Sequence, residues 1–285
     1  MTGTGIPMGI AHLTLLGCPP PELVDVAAAA GFDFVGLRVV PATAGEEQYP
    51  MSGPGSLLDE TLLRLKDTGL YVRDIEFLTL DERVSRERWL PILEMAARLG
   101  ATHLSVVGAD PDRARLADSL AALTRDAAPY GLVPTLEPIT YQPVHSIPEA
   151  ADLARAAGCA VLLDSLHVHR FGGTVDELQA LERTLVPHVQ LCDAPLAEPH
   201  DLPRPARLPL GQSTDGSDLK LESRALRVLP GEGELPLADF LAAVPEGTPV
   251  SVEAPSVFLA EQLGAREFAR RARAGADAVL AEAGC

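Results

Sequence analysis

Cysteine is scarce in this chain, aromatic residues are few, and cations are outnumbered. Cys18, Cys159, Cys192 and Cys285 show no Cys-x-x-Cys spacing. A disulfide-stapled secreted scaffold and a Cys-rich zinc module are thereby excluded, and free thiols in a reducing compartment are expected. Lys and Arg number 23 against 40 Asp and Glu, a formal net charge of −17. Such a surface repels nucleic acid and anionic membrane. A small anionic substrate stays open, because a local Arg cluster reverses the field inside one pocket. No apolar run reaches the roughly 18 residues of a membrane span. Met1–Ile10 lacks a cationic start followed by a long apolar stretch. No signal peptide is therefore expected, and the expected location is cytoplasmic. Walker A, dinucleotide-fingerprint and serine-elbow patterns are missing too, which argues against the enzymes built on them. The single Trp89, in Glu87-Arg88-Trp89-Leu90, reads as helix packing.

What is present is a repeat. An Ala-rich helical stretch runs into glycine and then into a β-rich run, as in Ala27-Ala28-Ala29-Ala30-Gly31 before Phe32–Leu37. Gly69, Gly100, Gly131 and Gly158 occupy the same junction further on. Glycine is the usual residue just past a helix end. The intervals each fit one strand, one helix and two short loops. Extending the pattern predicts strands near 7–13, 33–39, 71–77, 102–107, 132–137, 160–164, 187–192 and 249–253. Helices are predicted near 20–30, 56–68, 86–99, 112–128, 147–157, 174–184, 236–243 and 258–281. Strict alternation argues for a parallel sheet, and eight repeats favour closure. The expected fold is α/β: one (β/α)8 TIM barrel spanning 1–285, close to the roughly 250 residues typical of that fold. Ala194–Glu234, after strand seven, is rich in Pro, Gly and charge. A loop of that length is expected to be a lid or substrate loop.

Polar side chains sit where apolar strands stop. Leu132–Leu136 ends at Glu137, Ala160–Leu163 at Asp164, and Pro249–Val252 at Glu253, while Gln190 lies within strand seven. Buried strands expel charge unless it is paired or binds metal. A parallel barrel gathers all such strand ends on one face. Three carboxylates and one amide oxygen form an oxygen-rich set suited to Mg²⁺ or Mn²⁺, with Co²⁺ and Zn²⁺ as further candidates.

These motifs resemble the xylose-isomerase-like TIM-barrel superfamily of sugar-phosphate isomerases and epimerases, over essentially the whole chain. The carried residues are Glu137 in Thr-Leu-Glu-Pro, Asp164 in Leu-Leu-Asp-Ser-Leu-His and Glu253 in Ser-Val-Glu-Ala-Pro. The resemblance implies that they bind one divalent metal. Gln190, in His-Val-Gln-Leu-Cys-Asp, stands where that family has His. In this it is similar to the bacterial 3-dehydroshikimate dehydratases, which use Gln as fourth ligand. His167 completes Asp-x-x-His, and the resemblance places it against substrate. An imidazole there suits a proton carrier. Arg224 and Arg227, before Pro230-Gly231-Glu232-Gly233, match an Arg-bearing segment of the family and offer planar forks for carboxylate or phosphate.

Further candidates for the pocket are His12, ending strand one, Glu76, ending strand three, and Arg38, ending strand two. His188 reads as a supporting or structural residue. The first functional expectation is a metal-dependent isomerase or epimerase of a small polyhydroxy carbonyl compound. Glu137 or Glu253 would remove the α-proton and the metal would act as Lewis acid. The alternative is a dehydratase, with His167 as acid for a leaving hydroxyl. A DNA-repair role of the endonuclease IV kind conflicts with 7 His and the acidic balance. A barrel without chemistry conflicts with the complete ligand set. The expected partner is a small molecule, with neither nucleic acid nor membrane. A homodimer is a further expectation.

Overall fold

The computed structural model describes residues 5–42 and 45–285. The first four residues of the segment scanned for a leader thus lie outside the described residues. In chain order the elements are β1 (Met8–Ile10), α1 (Pro20–Ala30), β2 (Phe34–Arg38), α2 (Leu58–Thr68), β3 (Tyr71–Leu80), α3 (Arg86–Arg98), β4 (His103–Gly108) and α4 (Arg113–Ala127). Then follow β5 (Val133–Glu137), α5 (Ile147–Ala157), β6 (Ala160–Val161), β7 (Leu163–Asp164), α6 (Ser165–Arg170) and α7 (Val175–Gln179). The last are β8 (Val189–Leu191), α8 (Asp218–Ala225), α9 (Leu237–Ala243), β9 (Val250–Val252), α10 (Val257–Leu263) and α11 (Ala265–Glu282).

All strand pairs are parallel, in the order β6-β5-β4-β3-β2-β1-β9-β8-β7. The sixth stave of the barrel is split. β6 pairs only with β5, β7 only with β8, and between them the Leu162 N–H donates to Leu136 O at 3.0 Å. The result is a TIM barrel, with helices covering the staves.

Local chemistry explains the boundaries. α1 opens with Pro20 and Pro21, whose missing N–H groups cost nothing in a first helical turn. It ends at Gly31, where φ is 82° and the N–H reaches Ala27 O and Ala28 O. A side chain there would be strained, so glycine closes the helix and turns the chain into β2. Asp112 caps α4 by accepting from the Ala114 and Arg115 N–H groups.

Three differences from the sequence pattern matter. The chain leaves the first stave at Ile10 and coils into a 3₁₀ turn at His12–Leu15, so His12 does not end a strand. The expected last helix is two, α10 and α11, broken at Gly264. The segment 194–234 contains α8, capped by Ser217. Its 207–212 stretch meets the loop after β2: the Glu47 N–H donates to Leu210 O at 2.7 Å, and Arg207 pairs with Glu47 at 3.2 Å.

The same segment then returns over the barrel mouth. Val228 bridges Asp193, past β8, and Leu226 bridges Ser256, past β9. Arg227 is thereby pinned between the ends of two staves. Its exit is the Pro-Gly-x-Gly turn, which wraps the buried Asp193 carboxylate. Gly231, Gly233 and Leu235 N–H groups donate to it at 3.1, 3.0 and 2.9 Å. A β-carbon on Gly233 would lie 2.4 Å from Asp193 Oδ1. Gly233→Ala and Asp193→Ala are each expected to cost on the order of 3 kcal/mol, one by clash and one by orphaning buried N–H groups. Urea midpoints check this, and a shift within error for both would remove Asp193 as the anchor of the turn.

Candidate active site

Glu137 ends β5, Asp164 ends β7 and also caps α6, Gln190 is the middle residue of β8, and Glu253 follows β9. Register sets Asp164 beside Gln190 and Gln190 beside Ser251, two residues before Glu253. All four side chains are buried. Carboxylate oxygens of Glu137, Asp164 and Glu253 lie within 4.8 Å of one another. Asp164 Oδ1 accepts the Leu166 and His167 N–H groups at 2.8 and 3.1 Å, a helix-start arrangement that fixes its angle. Gln190 Nε2 donates to Glu253 Oε1 at 2.7 Å.

Arg227 supplies the counter-charge. It is 2 % exposed; its Nη1 binds Asp164 Oδ2 and Glu253 O, and Nη2 lies 3.0 Å from Glu253 Oε2. Nε donates to Ser223 O at 2.8 Å. Three ionised carboxylates against one guanidinium would leave a net charge of −2 in a buried space. The protonation equilibria reflect that imbalance. Burial, then the neighbouring Glu253 and Asp164, push Glu137 well above the ordinary carboxylate range. Burial pushes Glu253 up to about 8, against the pull of Arg227.

A divalent cation fits this arrangement on three counts. Its charge would cancel the −2. The donors are hard oxygens. Gln190 Oε1 is buried with no hydrogen-bond partner, while the amide nitrogen of the same side chain is engaged. An orphaned buried acceptor costs free energy unless something binds it, and a metal ion would.

A cavity of about 140 Å³ opens beside the cluster, bordered by Glu137, Glu253, His167, Arg224 and Arg227. His167 is buried, which lowers its pKa to about 4, with Arg227, Arg224 and Arg170 adding to the drop against Asp164. The ring is therefore neutral at neutral pH, with one nitrogen protonated and the other free to accept a proton. Arg224 sits at the rim, its guanidinium 5.8 Å from the Tyr141 ring centre and bonded to Ser213 O.

His12 and Glu76 are not brought into the cavity wall. His12 Nδ1 accepts the Arg38 N–H at 3.0 Å, which leaves Nε2–H to donate to Cys18 O at 2.9 Å. Both ring nitrogens are thus spent on backbone. Glu76 accepts the His12 and Leu13 N–H groups at 2.6 and 3.1 Å and faces Arg38 Nη2 at 3.8 Å. Together they fasten the 3₁₀ turn to β2 and β3. Arg38, a weaker sequence candidate, does border the cavity, paired with Glu46 at 3.3 Å. His188 lies two residues before Gln190, edge-on to His103 at 5.4 Å, away from the cavity.

Sequence reasoning missed Tyr141, Ser223 and Gln212, which also border the cavity. Tyr141 comes from the loop after β5, and the other two come from the 194–234 segment. None ends a strand, so no strand-end signal marks them.

The sequence matches the family described as Xylose isomerase-like TIM barrel over residues 24–274. The chain belongs to that family. A 3-dehydroshikimate dehydratase of Pseudomonas aeruginosa is 31% identical over 251 residues, 82% of this chain and 35% of that protein. The chain spans about a third of the length of that relative. Among solved structures, a xylose isomerase-like TIM barrel/4-hydroxyphenylpyruvate dioxygenase fusion protein matches with TM-score 0.69 and 22% identity, over 94% of this chain and 41% of that one. An IOLI protein with a bound zinc atom matches with TM-score 0.72 and 19% identity, over 97% and 99% of the two chains. These two likenesses establish the barrel. Among the described residues, no helix is long and apolar enough to cross a membrane.

Proposed function

We propose that this barrel is a divalent-metal-dependent enzyme that removes the proton α to the carbonyl of a small polyhydroxy compound. The reaction is a dehydration of the 3-dehydroshikimate kind. The carrying observation is the buried oxygen cluster with its orphaned Gln190 Oε1, set beside a neutral His167. Glu137, Asp164, Gln190 and Glu253 would hold the cation, which would act as a Lewis acid toward the substrate carbonyl. The donor set favours Mg²⁺ or Mn²⁺, with Co²⁺ and Zn²⁺ able to substitute.

The chain's own groups supply the proton chemistry. His167, neutral at rest, takes the α-proton from carbon as the C–H bond breaks. It then carries the proton that a departing β-hydroxyl needs, so the hydroxyl leaves as water. Burial thus changes the expectation of His167 as a resting acid: it serves first as base, then as acid. Arg227 holds Asp164 and Glu253 in place, and Arg224 at the rim offers positive charge to an anionic substrate group. The 31% identity to a 3-dehydroshikimate dehydratase and the Gln190 substitution both support dehydration. Isomerisation or epimerisation is the second reading. It is favoured by two carboxyls on the cavity wall, Glu137 and Glu253, one able to take a proton from carbon and the other to return it. The net charge of −17 supports a small molecule over nucleic acid as partner.

Incubation with 3-dehydroshikimate and Mn²⁺ in D₂O tests both readings. Dehydration gives a conjugated aromatic product with a new near-ultraviolet band. Deuterium at the α-carbon without that band supports the isomerase reading. Neither signal with Mg²⁺, Mn²⁺, Co²⁺ or Zn²⁺, on this compound and on free ketoses, sinks the proposal.

A further inference from the structure

Asp164 caps α6, and His167 and Arg170 follow it at steps of three, so all three fall on one side of that helix. The chain that meets them comes from the 194–234 segment and runs the opposite way. Arg227 binds Asp164, Ser223 Oγ lies 3.3 Å from His167 Nε2, and Glu222 pairs with Arg170. α6 is thus joined by a ladder of polar rungs to α8 and the residues just past it. The outermost rung is a fork on a fork. Arg170 Nε donates to Glu222 Oε2 at 2.9 Å, and Nη2 donates to Oε1 at 2.7 Å. Further Arg170 donors go to backbone, Nη1 to Leu196 O at 3.2 Å and Nη2 to Pro195 O at 2.8 Å. The two side chains are 3 and 5 % exposed. Arg170 therefore ties both the start of the segment and α8 to the helix that opens at the acidic cluster.

Apolar packing directs α8 elsewhere. Its Leu221 and Ala225 pack with Val257 on α10, with Leu202, Leu208 and Leu226 around them, in a patch separate from the barrel core. Apolar contact has no preferred direction, whereas a bidentate guanidinium–carboxylate pair fixes distance and angle together. Against an apolar pair of similar volume, a buried ion pair adds little net stability. Its contribution here is placement. We infer that Arg170 and Glu222 are a positioning pair that sets α8 on α6, and through it places Ser223 and Arg224 on the cavity wall. Neither member of the pair borders the cavity. That this wall binds substrate rests on the function proposed above, and the placement of α8 does not.

Two variants of the full chain test the pair. Arg170→Met removes the fork and leaves Glu222 buried alone. Arg170→Met with Glu222→Leu replaces both charges by apolar groups. Amide hydrogen exchange, read by mass spectrometry in Mn²⁺, compares residues 218–225 with β4 as the reference. Exchange in α8 is expected to quicken on the order of a hundredfold in both variants, with β4 within about threefold of the wild type. Calorimetric Mn²⁺ affinity is expected to stay within about threefold, because Glu137, Asp164, Gln190 and Glu253 stand at the strands. KM for 3-dehydroshikimate is expected to rise on the order of tenfold in both. The double variant separates placement from stability. Its urea midpoint should match or exceed the wild type, while α8 still exchanges fast. Wild-type exchange in α8 of the double variant would overturn the inference, even if Arg170→Met alone fails to fold. Glu222→Gln keeps the shape and one acceptor and should fall between, so it carries the same comparison if neither harsher variant folds. Fast exchange with an unchanged KM would overturn the link to the cavity wall. A wild type inactive on every compound, with the expected exchange pattern, would count against the proposed reaction and not against the pair.

Discussion

Glu253→Gln is expected to abolish turnover, by at least about a thousandfold in kcat, and to weaken Mn²⁺ binding on the order of a hundredfold. Both carboxylate oxygens of Glu253 face donors: Gln190 Nε2 at 2.7 Å on one side and Arg227 Nη2 at 3.0 Å on the other. An amide in that place must turn its NH₂ toward one of them. It sets donor against donor and removes one of the three charges that a cation would meet. Calorimetric titration with Mn²⁺ measures the first effect and the D₂O assay the second. An unchanged far-ultraviolet circular dichroism spectrum would show that the barrel persists. Full activity in Glu253→Gln would refute the assignment. Glu253→Asp keeps the charge and shortens the arm, so its metal affinity should fall between the two.

The residues that make this prediction possible were visible as breaks in a pattern. A buried parallel strand reads as a continuous apolar run, so an acid at its end stands out, and Glu137, Asp164 and Glu253 did. The repeat of glycine-terminated helices was equally plain, because the Gly31 junction needs a conformation other residues resist. Legibility failed where backbone, not side chain, decides. His12 and Glu76 have suitable chemistry and are expected at strand ends, but the first stave stops at Ile10 and β3 runs on past Glu76 to Leu80. The 3₁₀ turn at His12–Leu15 instead directs their polar atoms to N–H and C=O groups. Tyr141 and Ser223 failed for the opposite reason. They lie in connecting segments whose path depends on long-range contacts, such as the Val228–Asp193 bridge. The split sixth stave was also hidden, since Ala160–Asp164 reads as one unbroken run.

Metal should also change the way stability depends on pH, and the direction follows from two opposing sets of buried groups. Burial lowers His12, His103 and His167 to about 4, and His188 well below its ordinary 6.5. For these the unfolded chain binds protons that the native chain refuses, so stability falls as pH drops below about 6.5. Burial raises Asp74 and Glu76 to about 7, Glu253 to about 8, and Glu137 well above its usual range. For these the native chain keeps protons that the unfolded chain sheds near 4. Their contribution is full below about 4 and is lost progressively as pH rises from there through about 7 to 8. Without metal the two sets are four against four between about 4.5 and 6.5, and the stability curve is nearly level there. Above that window only the carboxyls act, and stability declines toward pH 8. A divalent ion that holds Glu137 and Glu253 ionised takes two protons from the native side. The remaining imbalance, about two protons, makes stability climb with pH by on the order of 2–3 kcal/mol per unit between 4.5 and 6.5. The optimum therefore moves upward. Urea midpoints from pH 5 to 8, in EDTA and in Mn²⁺, measure it. Two curves that merely run parallel would mean that the cation does not bind at Glu137 and Glu253, whatever else it stabilises.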